Sequence, residues 1–190
     1  MSLPADSHVH TEWSWDAQHG SMQRSCARAV ELGLPSVAFT EHVDHTVWTV
    51  DREALGRLPA DHPVAVLSDT AGRVHLVGDS DAFSVLAHID YPVRSWPAER
   101  SFDPVSYEAE FRHALRATAR SGKALEISTV VPLAATVVRW WHEEGGTAVS
   151  FGSDAHEPDR VADGFAAAAA LAEANGFRPA ADPLALWTRS

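Results

Sequence analysis

Two stretches of sequence are the most informative about fold and chemistry. They are Asp6-Ser7-His8-Val9-His10-Thr11 and, far along the chain, Ser153-Asp154-Ala155-His156. Residues two apart on a β-strand point to the same face, so His8 and His10 direct two imidazoles toward one spot. Asp154 and His156 repeat that spacing with one carboxylate and one imidazole. Because imidazole and carboxylate ligands together suit zinc, manganese or iron, the two stretches predict a metal site.

Two further motifs carry the same ligand types. Glu41-His42 follows the apolar segment 36–40, and His88-Ile89-Asp90 follows the apolar segment 84–87. If these strands are parallel, their carboxyl ends meet at one face. The residues expected there are His8, His10, Asp16, Glu41, His42, His88, Asp90, Glu126, Asp154 and His156. Such a cluster of carboxylates and imidazoles is costly to desolvate unless bound cations compensate its negative charge. The sequence therefore predicts a polynuclear metal site.

Strand-like and helix-like segments alternate along the chain, which predicts an α/β fold with parallel strands. Strands are predicted at 5–10, 36–40, 84–87, 124–128 and 147–152, and helices at 21–33, 103–120, 132–145 and 161–175. An α/β barrel or a related layered fold accommodates this order. The segment 43–83 is irregular, apart from a candidate hairpin formed by 64–67 and 74–77.

Helix boundaries follow from capping residues. Ser21 and Gly33 are expected to begin and end the first helix, and Asp103 with Pro104 is expected to begin the second. Pro132 is expected to open the third. The side chains predicted to face the core are Cys26, Ala29, Val30 and Leu34 on the first helix, Tyr107, Phe111, Ala114, Leu115 and Thr118 on the second, and Leu133, Val137, Trp140 and Trp141 on the third.

The composition indicates one soluble domain covering residues 1–190. The chain is 45% hydrophobic, which is enough for one domain with a core. It has a single cysteine, Cys26, so neither a disulfide nor a thiolate zinc site is expected.

The expected location and partners follow from other features of the sequence. No secretory signal or membrane-spanning run is visible, and a cytoplasmic location is predicted. The formal charge of −11, with 15 scattered Lys and Arg residues, argues against nucleic-acid binding. A phosphorylated substrate remains compatible, because bound metals can supply positive charge locally.

Each candidate ligand also has an ordinary structural interpretation. His8 and His10 could be simple strand residues, and His42 or His88 could be hydrogen-bonded core histidines. Asp16 could terminate a turn. Glu126 could orient a neighbouring side chain instead of binding a metal.

The ordered motifs resemble the polymerase and histidinol phosphatase (PHP) domain family, and especially its histidinol-phosphatase-like phosphoesterases. The matching pieces are 6–11, 38–42, 86–90 and 151–156, within a resemblance that covers about 1–50 and 84–178. The resemblance implies a distorted seven-stranded (β/α) barrel with up to three divalent metals, zinc, manganese or iron, at its carboxyl face. It also implies hydrolysis of small phosphate esters by a metal-activated hydroxide.

The resemblance further implies roles for individual residues. His8, His10 and Asp154 would hold one metal, and Asp16, His42 and His156 another. His88 would belong to a third metal, shared with a bridging glutamate and a further histidine. Asp154, His156 and His10 would be the catalytic residues, while the substrate-binding residues would be Arg94, Arg100 and Ser128.

The interval between His42 and His88 departs from the family pattern. No apolar strand there ends in Glu, and no second one ends in His. The chain is also shorter than the roughly 250 residues of typical (β/α) barrels. We therefore expect a shortened barrel that lacks about two strands, with an internal deletion after about Gly78. Exposed sheet edges would then favour dimerisation or aggregation.

Three functional hypotheses follow. The first is a metal-dependent phosphomonoesterase resembling histidinol phosphatase, which would act in histidine biosynthesis. The second is a metal-binding remnant with impaired catalysis, because a missing bridging carboxylate would alter metal spacing. The third is a PHP-type nuclease module, which the acidic charge disfavours.

Overall fold

The computed structural model describes residues 3–42, 83–89, 93, 96 and 101–190. Within these ranges the chain alternates strands and helices in the order expected from the sequence. The strands are β1 Asp6–Val9, β2 Val37–Phe39, β3 Val85–Leu86, β4 Ala124–Ser128, β5 Ala148–Gly152, β6 Phe177–Arg178 and β7 Trp187–Arg189. The helices are α1 Met22–Leu32, α2 Glu108–Arg120, α3 Ala135–Glu143 and α4 Phe165–Ala174. The candidate hairpin of 64–67 and 74–77 lies outside the described residues.

The strands form two sheets joined at the candidate site. β1 pairs with β2 in parallel, and the second sheet has the order β3-β4-β5-β7-β6. A parallel bridge between Val9 and Ala155 connects β1 to the segment after β5. The Asp154 N–H donates to the carbonyl of His8 and the His10 N–H donates to that of Ala155, both at 2.9 Å. Because β1–β2, β1–β5 and β3–β4–β5 all run parallel, the carboxyl ends of these five strands share one face.

The two carboxyl-terminal strands are not predicted from the sequence. β7 pairs antiparallel with both β5 and β6, so the larger sheet is mixed instead of fully parallel. Trp187 packs edge-on against Phe151 with ring centroids 4.9 Å apart. β7 thereby covers an edge of β5 that would otherwise present unpaired backbone groups.

Helix α1 has the predicted caps and part of the predicted inward face. The Ser21 hydroxyl accepts from the Arg24 N–H, and Gly33 ends the helix at φ +67°. Ala29 is buried and Leu34 packs against the core, as predicted, whereas Cys26 and Val30 are exposed. Ser25 is buried in place of Cys26, because the inward stripe follows residues four apart through Ser25 and Ala29.

The other helices begin later than predicted. Asp103 caps a short 3-10 turn over Pro104–Tyr107, and α2 starts only at Glu108, which leaves Tyr107 exposed instead of buried. Helix α3 starts at Ala135 instead of Pro132. α4 starts at Phe165 because Ala162 and Gly164 have positive φ angles of 56° and 77°, which no α-helix accommodates.

The core lies between the larger sheet and helices α2, α3 and α4. Its largest fully buried side chains are aromatic or branched, and include Trp140, Trp141, Phe151, Phe165 and Phe177. β4 is buried along its whole length. β2 is only partly buried. None of the described helices is long and apolar enough to cross a membrane.

Candidate metal centre

The predicted ligand residues meet at the carboxyl ends of the parallel strands. They line one cavity of about 700 Å³. His8 and His10 extend from β1, His42 from β2, His88 from β3, and Asp154 with His156 from the segment after β5. Asp16 reaches the same cavity from the loop that follows β1. The described members of the predicted cluster that line the cavity are His8, His10, Asp16, Glu41, His42, His88, Glu126, Asp154 and His156.

His8 is held in place by Glu126 of β4. Its Nδ1 lies 2.6 Å from Glu126 Oε2, and both side chains are almost completely buried. This close contact requires a glycine at the neighbouring strand end, since a Cβ on Gly152 would lie 2.6 Å from Glu126 Oε2. Burial opposes protonation of His8, but the hydrogen bond to Glu126 and nearby carboxylate charges outweigh it and raise its pKa. Glu126 therefore orients His8. Orienting a neighbouring side chain is one of the two roles that the sequence allows for this residue, and metal binding is the other.

His10 is held by a chain of two further side chains. Its Nδ1 lies 2.8 Å from the Ser14 hydroxyl, which in turn donates to Glu41 Oε2. The other Glu41 oxygen accepts from the Thr11 hydroxyl at 2.5 Å. Burial dominates the electrostatics of His10 and, with the neighbouring histidines, keeps its pKa below the ordinary value despite Asp154. A neutral imidazole is the form that binds metals.

The Nε2 atoms of His8 and His10 converge on Asp154. They lie 3.2 Å from each other, and 3.6 and 3.1 Å from Asp154 Oδ1. With Nδ1 of each ring used as a donor, both Nε2 atoms present lone pairs beside a carboxylate oxygen. Three such groups repel one another unless a cation lies between them. Two ligands bound to one zinc at 2.0–2.2 Å are themselves about 3–4 Å apart, so these residues fit a divalent metal.

A second group consists of Asp16, His42 and His156. Asp16 Oδ1 lies 3.1 Å from His42 Nε2, and Asp16 Oδ2 lies 3.2 Å from His156 Nε2. The Nδ1 of His156 donates to the Asp154 carbonyl at 2.8 Å, which fixes the ring. Ligand atoms of His10, His42 and His156 all lie within 4.8 Å of one another. The structure therefore brings together the second predicted ligand set, directly beside the first.

The charges of this second group are strongly coupled. Burial opposes ionisation of Asp16, but hydrogen bonds from His156 and His42 outweigh it and hold its pKa below the ordinary value. The hydrogen bond that His156 donates to Asp16 raises the pKa of His156, against the effect of burial. This carboxylate is thus ionised at neutral pH and available to a cation.

His88 faces the first group from the opposite side. Its Nδ1 is 4.0 Å from Glu126 Oε1, and its Nε2 is 3.9 Å from Asp154 Oδ2. Its backbone has a φ of 53°, which is uncommon for a residue other than glycine. Glu126 Oε1 is buried and has no hydrogen-bond partner among the described residues. Ligand atoms of His8, His88 and Glu126 lie within 4.8 Å of one another, which is compatible with a third cation position.

Of the three predicted substrate-binding residues, the structure describes Ser128, which does not line the cavity. Ser128 is buried at the end of β4. Arg94, Arg100 and Asp90 lie outside the described residues. Ser14, conversely, was missed by sequence reasoning, because a serine in a loop gives no signal of the side chain that it will contact.

Comparison with known proteins supports the family resemblance of these motifs. A family model of the PHP domain matches residues 6–64. A crystal structure of histidinol phosphate phosphatase (HISK) from Lactococcus lactis subsp. lactis Il1403, complexed with zinc, L-histidinol and phosphate, has a similar fold. The TM-score is 0.76 at 18% sequence identity, over 93% of this chain and 95% of that chain. A search of curated protein sequences finds no match. The resemblance to the PHP family that the motifs predict is thereby confirmed.

Proposed function

We propose that this chain, as a PHP-domain protein, is a metal-dependent phosphomonoesterase that hydrolyses a small phosphate ester. The observation that carries the proposal is the convergence of His8 Nε2, His10 Nε2 and Asp154 Oδ1 inside an open cavity, beside a second ligand group. Histidinol phosphate is the first candidate substrate, because the structural neighbour is a histidinol phosphate phosphatase.

The charge of the cavity explains why metals are needed. Asp16, Glu41, Glu126 and Asp154 line it and would repel a phosphate dianion. Bound divalent metals would supply compensating charge to the phosphoryl oxygens and would lower the pKa of water. His8, His10 and Asp154 would hold one metal, and Asp16, His42 and His156 another, as the family resemblance implies. Zinc, manganese and iron all suit these ligands.

The remaining residues have supporting roles in this proposal. Asp154, His156 and His10 lie where the two ligand groups meet, so they would contact both the metals and the reacting phosphate. Arg94 or Arg100 would bind phosphate oxygens through a bidentate guanidinium contact. A role in cytoplasmic histidine biosynthesis would follow from the same substrate.

A shortened barrel is part of the proposal. The short interval between His42 and His88 supports a loss of about two strands, and with them of a bridging glutamate and a histidine. The second oxygen of Glu126 lies 4.0 Å from His88 Nδ1, so this carboxylate would share a third cation position with His88. An experimental structure with metal bound would test the strand count directly.

Phosphate release is the direct test. Protein reconstituted separately with zinc, manganese and iron should release phosphate from histidinol phosphate, and His8→Ala should abolish that release. His113→Ala, on the outer part of α2, serves as the matched histidine control and should leave turnover unchanged. Undiminished turnover in His8→Ala would refute the assignment of the site.

A metal-binding remnant without catalysis is the second candidate, favoured by the missing family motifs between His42 and His88. It predicts that the protein binds metals but releases no phosphate with any of the three. Metal content per chain and turnover, measured on the same preparation, separate the two candidates. A nuclease module would instead cleave nucleic acid in a strongly salt-dependent manner.

A further inference from the structure

The loop that follows β1 contains a buried serine whose hydroxyl contacts one histidine and one carboxylate. Ser14 is 4% exposed, and its hydroxyl contacts His10 Nδ1 and Glu41 Oε2. Consecutive turns place it there, with backbone bonds from Ser14 N to Thr11 O at 3.0 Å and from Ala17 N to Ser14 O at 3.1 Å. Its position under the His10 ring is thus fixed by the backbone.

The direction of the two hydrogen bonds follows from valence. A serine hydroxyl has one proton, and a carboxylate can only accept. The Ser14 proton is therefore used on Glu41, and toward His10 the serine oxygen can only accept. The proton of that contact must then belong to His10 Nδ1, which leaves Nε2 with its lone pair directed at His8 Nε2 and Asp154 Oδ1.

We propose that Ser14 and Glu41 are positioning residues that fix His10 as the Nδ1–H tautomer, so that its Nε2 is the metal-binding atom. Glu41 stands immediately before His42, which contacts Asp16 through its own ring. One dipeptide at the end of β2 thus supports both ligand groups. The inference rests on the proposed metal binding but not on phosphatase activity.

The position of Glu41 makes the arrangement rigid. Its two oxygens are held by Ser14 and Thr11, and β2 is fixed to β1 by the Thr40 N–H, which donates to Val9 O at 2.9 Å. The carboxylate therefore cannot turn away without breaking two hydrogen bonds. Removal of a residue that hydrogen-bonds a metal-binding histidine typically lowers metal affinity by about 10–100-fold.

The test uses zinc as the probe and two readouts that need no turnover. In the zinc-loaded protein, nitrogen-15 NMR should show a slowly exchanging proton on His10 Nδ1, with Nε2 carrying the metal. Ser14→Ala should lose that protected proton, and its zinc affinity, measured by competition with a chelator, should fall by about 10–100-fold. Glu41→Gln keeps the side-chain volume and should change both readouts in the same direction.

Ser150→Ala is the matched control. Ser150 is equally buried and lines the same cavity, but its hydroxyl has no hydrogen-bond partner among the described residues. This variant should keep both the His10 signal and the zinc affinity. If Ser14→Ala and Glu41→Gln behave like Ser150→Ala, the inference is wrong while the proposed function stands. If the wild-type protein binds no zinc, the inference is wrong; if it also binds neither manganese nor iron, the proposed function fails with it.

Discussion

At the scale of single residues, the chemistry depends on which ring nitrogen each histidine presents. Glu126 fixes the His8 ring through a 2.6 Å contact between Glu126 Oε2 and His8 Nδ1, and both side chains are almost completely buried. The amide of a glutamine can reproduce only part of that contact and carries no charge. The two histidines of β1 are therefore positioned by carboxylates that belong to different strands, β4 for His8 and the end of β2 for His10.

We expect Glu126→Gln to weaken zinc binding by about 10–100-fold, because His8 loses the charged acceptor that orients it. Chelator competition at constant pH measures the change. Ser128→Ala, two residues further along β4, should leave zinc affinity unchanged, since its buried hydroxyl has no hydrogen-bond partner among the described residues. Equal affinities for wild type and Glu126→Gln would contradict the orienting role.

The pair formed by Asp16 and His156 should make the stability of the metal-free protein depend on pH. The pKa of His156 is raised above 6.5, so its contribution is complete below that value and is lost as pH rises through the folded-state pKa. The pKa of Asp16 is lowered below 3.8, so its contribution is present above that value and is lost on acidification. The pair therefore stabilises the fold most between these two limits.

Urea unfolding in the presence of a chelator tests this dependence. Asp16→Asn should reduce the free energy of unfolding most at about pH 5–6, and progressively less as the pH rises through the raised pKa of His156. A loss of stability that is the same at every pH would exclude the charge pair as its cause.

At the scale of secondary-structure elements, the alternation of apolar strands and capped helices was sufficient to predict β1 to β5 and α1 to α4. Polar residues at strand ends correctly indicated which side chains would meet, because parallel strands align their carboxyl ends. The strands β6 and β7 could not be predicted in this way. Neither is a continuous apolar segment that ends in a candidate ligand, and their pairing depends on the edge that β5 offers. The contact between Ser14 and His10 could not be predicted either, because it also depends on the tertiary structure.

The role of β7 can be tested at Trp187. This side chain is 7% exposed and packs on Phe151, so Trp187→Ala should lower the free energy of unfolding by about 3–5 kcal/mol. Chemical denaturation measures the change. Leu184→Ala, at a site that is 64% exposed, should change it by no more than about 0.5 kcal/mol. Similar effects for both substitutions would show that β7 does not contribute to the core.

At the scale of the whole molecule, metal binding and folding should be linked. The ligands come from β1, β2 and the segment after β5, so an unfolded chain cannot present them together. Free zinc at one hundred times its Kd should therefore raise the free energy of unfolding by about 2.7 kcal/mol. For a chain of this size, that corresponds to an increase in Tm of roughly 5–10 °C. Thermal melts with and without chelator measure the shift, and an unchanged Tm would contradict the link.

The proposed shortening of the barrel leads to a prediction about assembly. If two strands are lacking as proposed, sheet edges and apolar surface are exposed, so the protein should form dimers or larger species as its concentration rises. Light scattering over a concentration series measures this. A constant monomer mass would show that those edges are covered within a single chain.

The bridge between Val9 and Ala155 has a consequence for synthesis. Asp154 follows the histidines of β1 almost 150 positions later in the sequence. Because synthesis runs from the amino terminus, the two imidazoles are made long before their carboxylate partner, and without it they can hold a cation only weakly. Under the proposed metal binding, this site is therefore complete only after the segment beyond β5 has been made and has paired with β1, so the folded protein and not the growing chain selects the ion.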